Sequence, residues 1–189
     1  MSALSTNLLQ ESGGHYVWLP LMGILLWASI TDIRSHRIPN ALTFPAAVAG
    51  VLVHLAAHGF WSATSAALGY VLFFIGGFLF YRWIGGIGAG DIKLLMACAA
   101  FLGVMPALYV AFFSFLLQTG WMIIRWFLIG TALQNIRQLG IWLYSWMVPG
   151  VKTKHFHPMG TPDRSPHGPF IFAGAIVTAF LWWGNHVHM

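Results

Sequence analysis

Apolar residues run through this chain in long blocks, and polar positions fall between the blocks rather than alternating within them. A bilayer core about 30 Å thick takes about 20 helical residues, so blocks of this length predict membrane-spanning helices. The first runs from about His15 to Thr31 and closes at Asp32, the second from about Ala41 to Ala57, and the third from about Ser62 to Tyr81. A glycine-rich break follows, Gly85-Gly86-Ile87-Gly88-Ala89-Gly90, a run that no regular helix favours. Between Asp91 and Gly130 the only charges are Asp91, Lys93 and Arg125, and the stretch is too long for one pass. A hairpin is expected at Gly103 to Pro106, which leaves Asp91 to Leu102 as a short fourth span and a fifth ending near Gly130. A span from about Pro169 to Gly184 completes a bundle of six. The Trp- and Tyr-rich stretch Leu139 to Val148 is too short to cross and reads as an interfacial helix.

Composition turns this pattern into a class. Charged residues are 7% of the 189, against roughly 25% in soluble domains, and hydrophobic residues reach 58%. So few charges cannot cover a water-soluble surface, which excludes soluble enzymes and nucleic-acid binders. The expectation is an all-α integral membrane protein, residues 1–189 forming a single membrane-embedded domain. The formal charge of +5 reports topology rather than a nucleic-acid partner. With six spans and both termini outside (periplasmic), Arg34, Arg37, Arg82, Lys93, Arg125, Arg137, Lys152, Lys154 and Arg164 all fall at or near the cytoplasmic face. Met1 to Gly14 carries no basic residue, so the first block is expected to be a retained anchor rather than a secretory signal. The one cysteine, Cys98, excludes an internal disulfide and any four-cysteine zinc site.

The four acids separate into two pairs. Glu11 precedes the first span and reads as solvated, and Asp163 lies in a turn, Thr161-Pro162-Asp163-Arg164. Asp32 closes a descending span and Asp91 opens an ascending one, so both carboxylates reach the same cytoplasmic level. Carboxylates at a membrane boundary are functional candidates. The plain alternatives are a helix N-cap for Asp91 and an interfacial acid paired with Arg34 or Arg37 for Asp32. Gly88 and Gly90 favour the functional side, because a backbone without side chains lets an extended peptide lie against it and reach Asp91. Two aspartates sharing a proton can hydrolyse a peptide bond without metal or nucleophile: one takes a proton from water while the other donates to the carbonyl oxygen. A helix N-terminus favours negative charge and a C-terminus opposes it, which suggests Asp91 as base and Asp32 as acid, with the roles alternating in turnover.

These residues resemble a known family. Gly88-Ala89-Gly90-Asp91 is similar to the Gly-x-Gly-Asp motif of intramembrane aspartyl proteases. Asp32, followed by Arg34, Arg37 and Ile38-Pro39-Asn40, resembles the first aspartate motif of type IV prepilin peptidases. Asp91-Ile92-Lys93-Leu94 resembles its Gly-Asp-x-Lys-Leu continuation, and Pro166-His167-Gly168-Pro169-Phe170, with Gly174 beyond, the proline-glycine-proline start of its final helix. The resemblance implies Asp32 and Asp91 as catalytic residues, with Gly88, Gly90, Lys93, Arg37, Pro39 and Asn40 placed to meet substrate. It implies a partner, the precursor of a pilin or pseudopilin, whose basic leader is removed at the cytoplasmic face of the bacterial inner membrane, just before an apolar helix.

No cofactor or metal is implied. Larger members carry a cytoplasmic insert with two cysteine pairs for zinc, whereas here only Ile33 to Asn40 joins the first two helices. The chain resembles the short form found with tight-adherence (Flp-type) pili, and the family's second activity, N-methylation, is not carried over with the resemblance.

Other features have blander readings. His54 and His58 share a helical face at a spacing that could hold a metal, but interfacial histidines are the simpler expectation. The loop with Lys152, Lys154, His155 and His157 suits anionic lipid headgroups better than a leader that is itself basic. Gly69 and Gly76 lie on one face of the third span and predict close helix approach. The competing class is a small membrane transporter or assembly subunit whose aspartates bind a cation or relay protons. It accounts for the carboxylates but not for the Gly-x-Gly and Ile-Pro-Asn segments.

Overall fold

The computed structural model describes residues 15–83, 88–148 and 166–187. Every regular element among them is helical: α1 (His15–Ser35), α2 (Asn40–His58), α3 (Phe60–Trp83), α4 (Ala89–Leu102), α5 (Val104–Ile129), α6 (Ala132–Met147) and α7 (Gly168–Val187). Four stretches are long and apolar enough to cross a membrane: Val17–Ser35, Asn40–Ala57, Phe60–Arg82 and Val104–Ile129. In the last helix the apolar stretch, Gly168–Trp182, is shorter. At 14 residues α4 rises about 21 Å, less than the hydrocarbon thickness.

Large apolar side chains point outward, among them Leu68, Leu72 and Phe78 on α3 and Phe112, Leu116 and Phe127 on α5. Such an exterior suits hydrocarbon rather than water. With its spans, it makes this a multi-pass helical membrane protein.

The chain divides into two compact units, one of residues 1–117 with 166–189 and the other of residues 118–165. In the first, α4 is the central element, packed against α1, α2, α3 and α7. Apart from Lys93, every residue from Asp91 to Leu102 is buried. Small side chains, Ala97, Cys98, Ala99 and Ala100, allow this, and glycines on the neighbouring helices do the rest. A Cβ at Gly50 of α2 would come within 2.8 Å of the Ala100 carbonyl group, and one at Gly69 of α3 within 3.3 Å of the Ala99 oxygen. The second α3 contact is made by Gly77, where a Cβ would stand 2.5 Å from Ile92; Gly76 faces nothing within 4 Å. Gly69 is thus a packing glycine as expected, and its partner is displaced by one residue.

The elements depart from expectation at three places. Helix α1 continues past Asp32 to Ser35 and stops at His36, whose φ of 49° is left-handed. The hairpin after α4 is a single residue, Gly103 with φ 79°, while Pro106 sits in the first turn of α5, where a missing N–H is harmless. In the second unit, α6 begins at Ala132, seven residues before the expected interfacial segment. It starts after Gly130 (φ 77°), and the buried Asn135 donates from Nδ2 to the Thr131 hydroxyl at 3.2 Å. Glu11 and the loop carrying Lys152, Lys154, His155, His157, Asp163 and Arg164 lie outside the described residues.

Candidate active site

Asp32 and Asp91 reach one place by different routes. On α1 the buried residues Trp18, Leu21, Leu25, Ala28 and Ser29 recur at helical spacing, and Asp32 continues that stripe. The stripe faces α7, whose own buried residues Ile171, Ala175, Thr178 and Ala179 share the period. Asp91 lies three residues after Gly88, the residue that caps α4 with extended φ,ψ of −72° and 144°. Both carboxylates are buried, and they are close enough for the charge of Asp32 to act on Asp91.

Each carboxylate is held by a glycine amide. The Gly88 N–H donates to Oδ2 of Asp91 at 3.0 Å, and the Gly168 N–H donates to Oδ2 of Asp32 at 2.8 Å. Gly88 precedes α4 and Gly168 opens α7, so both amides belong to helix N-termini, where backbone donors lack intrahelical partners. This removes the asymmetry behind the acid and base assignment. Asp32 lies near the C-terminal end of its own helix yet bonds to the N-terminal end of another.

The glycines before Asp91 have a second explanation beside substrate approach. A Cβ at Gly88 would stand 2.8 Å from Oδ2 of Asp91, and one at Gly90 would stand 3.3 Å from Cβ of Ile38. The first glycine leaves room for the aspartate to fold back onto the backbone, so Asp91 caps α4 from its third position while Gly88, not Asp91, is the N-cap. The second admits Ile38 from the connection between α1 and α2. That connection is tied again at Lys93, whose Nζ donates to Oδ1 of Asn40 at 2.8 Å. Pro39 caps α2, its carbonyl accepting from the amides of Leu42 at 3.0 Å and Thr43 at 3.3 Å.

Of the residues expected to meet substrate, Lys93 and Asn40 are therefore bonded to each other, Gly88 and Gly90 border Asp91, and Arg37 and Pro39 are exposed on the connecting segment. Two site neighbours were not singled out from the sequence: Gly168, through its amide, and His167, half-buried with Asp32 as the charge acting on it. Their signal was the Pro166-His167-Gly168-Pro169 segment, read as the start of a helix rather than as part of the site. No group of three or more His, Cys, Asp or Glu side chains suited to a metal occurs among the described residues. The ring of His54 is engaged elsewhere, with Oγ of Ser62 at 2.9 Å and the Phe101 carbonyl at 2.8 Å.

A buried aspartate pair inside a bundle of apolar helices defines a class, the membrane proteins with an intramembrane carboxylate site. Comparison with known proteins narrows it: residues 19–123 match the type IV leader peptidase family, a stretch that contains both aspartates, and the chain belongs to that family. Curated relatives include the prepilin leader peptidase/N-methyltransferases of Burkholderia pseudomallei strains 1026b and K96243. Each is 33% identical over 113 residues, covering 54% of this chain and 35% of the relative. The chain thus matches about a third of the length of these relatives. No solved structure matches.

Proposed function

We propose that this protein is an aspartic endopeptidase that removes the leader from prepilin-like precursors, of the Flp type, at the cytoplasmic face of the bacterial inner membrane. The observation that carries the reading is the pairing of Asp32 and Asp91: buried, electrostatically coupled, on two helices and each anchored through Oδ2 to a glycine amide. Family membership and the names of the relatives support the substrate class.

In the reaction, one carboxylate accepts a proton from water as its oxygen attacks the scissile carbonyl, and the protonated partner donates to the carbonyl oxygen. As the C–N bond of the tetrahedral intermediate breaks, the carboxyl that took the proton from water gives it to the leaving amine, and the other carboxylate takes a proton from a gem-diol hydroxyl, so the pair begins the next cycle with the same proton count. The glycine amides fix one oxygen of each carboxylate, which orients the pair before substrate arrives. A bundle of six spans with both termini outside brings the pair to the cytoplasmic level, where a leader ahead of an apolar helix would be presented. Gly88, Gly90, Arg37, Pro39, Asn40 and Lys93 border that approach, and membrane lipid surrounds the rest.

The test is cleavage of a co-expressed prepilin, read as a gel shift, by wild type, Asp32→Asn, Asp91→Asn and Asp163→Asn. Wild type and Asp163→Asn should shorten the precursor, while each of the other two should lose activity by about 100-fold or more. Cleavage surviving in Asp32→Asn or Asp91→Asn would overturn the paired mechanism.

A further inference from the structure

Two close approaches, made through different faces, fix the place of α7. Toward α1, a Cβ on Gly168 would lie 3.1 Å from Cβ of Asp32 and 3.3 Å from Cα of Ser29. Ile171 and Ala175, one and two turns on, are buried along the same face. Toward α5, Gly174 meets backbone. A Cβ there would run into Oγ of Ser114 and stand 2.7 Å from the Ser114 nitrogen and 2.8 Å from the Val110 oxygen. The hydroxyls at this crossing bond within their own helices, Ser114 to the Val110 carbonyl and Thr178 to that of Gly174 at 2.8 Å. Steric contact, rather than a bond from either hydroxyl across the gap, therefore sets how near α7 comes to α5.

We propose that Gly174 is a positioning residue for Asp32: by letting α7 lie against the backbone of α5, it sets the height and tilt at which the Gly168 amide meets the carboxylate. The proposal rests on the reading of Asp32 as one of the reacting pair. Gly168 is six residues before Gly174, about 9 Å along the helix. Both glycines, with Asp32, Val110 and Ser114, belong to one compact unit.

A side chain at 174 pushes α7 off α5. Ile171 and Ala175 are already packed, so the helix slides or tilts instead of settling, and close-packed contacts carry the shift to its first turn. The bond from the Gly168 amide to Oδ2 of Asp32, 2.8 Å long, then lengthens or turns. Hydrogen bonds weaken with both changes, and Asp32 loses its fixed orientation in the pair. Gly50 supplies a comparison of equal crowding. A Cβ there would stand 2.8 Å from the Ala100 carbonyl group, at a crossing of α2 with α4 that involves neither α1 nor α7.

Two readouts test this on the full chain in lipid nanodiscs. The first is the Gly168 amide signal of 15N-glycine-labelled protein, identified by its loss in Gly168→Ala. An amide proton bonded to a carboxylate is shifted downfield. The signal should move upfield in Gly174→Ala, toward its position in Asp32→Asn, and should stay in place in Gly50→Ala. Ser114→Cys puts a larger atom against Gly174 and should move the signal the same way by less, which keeps the test decisive should Gly174→Ala not fold. The second readout is prepilin cleavage, where Gly174→Ala should lower kcat about tenfold with KM unchanged. A Gly168 signal at its wild-type position in the folded variants at 174 and 114, or one that moves as far in Gly50→Ala, would overturn the proposal. So would an unchanged kcat in Gly174→Ala beside an active wild type. The amide signal needs no substrate. If it shifts as expected while wild type cleaves nothing, the link from Gly174 to Asp32 holds and the peptidase reading fails instead.

Discussion

The Gly168 amide donates to Oδ2 of Asp32 at 2.8 Å, tying residues 136 apart in sequence. Because Asp32 is on α1 and Gly168 opens α7, this bond makes the last helix part of the aspartate site. It also accounts for a glycine at 168, since a side chain there would press on Asp32 itself.

Gly168→Ala should therefore harm activity more than stability. Its Cβ would lie 3.2 Å from Oδ2 of Asp32, so the carboxylate or the turn must yield by a few tenths of an ångström. The expected loss is about 1–3 kcal/mol of stability, with kcat falling about tenfold or more. Gly23→Ala is the control, because a Cβ at Gly23 meets nothing within 4 Å. Thermal midpoints and cleavage rates of the two variants decide it; equal activity would mean that the turn relaxes freely.

Lys93 and Asn40 should behave as a coupled pair. Their bond joins the segment after Asp32 to the helix that carries Asp91, alongside the packing of Ile38 on Gly90. A double-mutant cycle with Lys93→Met and Asn40→Ala should show about 0.5–1.5 kcal/mol of interaction in cleavage kinetics. Strict additivity would mean that the two residues act independently, each on substrate.

His54 should be replaceable by glutamine far better than by leucine. Phe101 is next to the last residue of α4, so its carbonyl has no intrahelical donor, and His54 Nε2–H supplies one. Nδ1 then accepts from the Ser62 hydroxyl. His54→Leu strands a buried carbonyl, at a cost of about 1–3 kcal/mol, while His54→Gln keeps an amide donor within reach. Comparing their thermal midpoints in one detergent checks the order.

Much of the fold was legible because helix length and charge placement are local properties. Starts near Asn40, Phe60 and Gly168 lie within two residues of expectation, and Asp32 and Asp91 stood out because acids are scarce. Most of what escaped depends on partners distant in the chain. Gly77, rather than Gly76, meets Ile92 because the crossing with α4, not the spacing along α3, decides which glycine is crowded. The reason for Gly88 also differs in kind from a sequence reading: the atom it makes room for belongs to Asp91, three residues on. Likewise the assignment of acid and base from helix ends assumed that Asp32 feels only its own helix, whereas it bonds to the first amide of another.

His167 gives a stability prediction separate from catalysis. Burial lowers the affinity of the folded ring for a proton, with Asp32 opposing, while the unfolded ring titrates at its ordinary 6.5. In the window below that value the unfolded chain binds more protons than the folded one, so stability rises with pH across it. The contribution is fully present above about pH 6.5 and is lost as pH falls toward the folded midpoint. Wild type should therefore lose thermal stability more steeply than His167→Gln between pH 7 and 5, the other histidines contributing equally to both. Thermal scans in one detergent at half-unit steps would show it, and parallel declines would mean that the ring is as free to charge in the folded protein as in the unfolded chain.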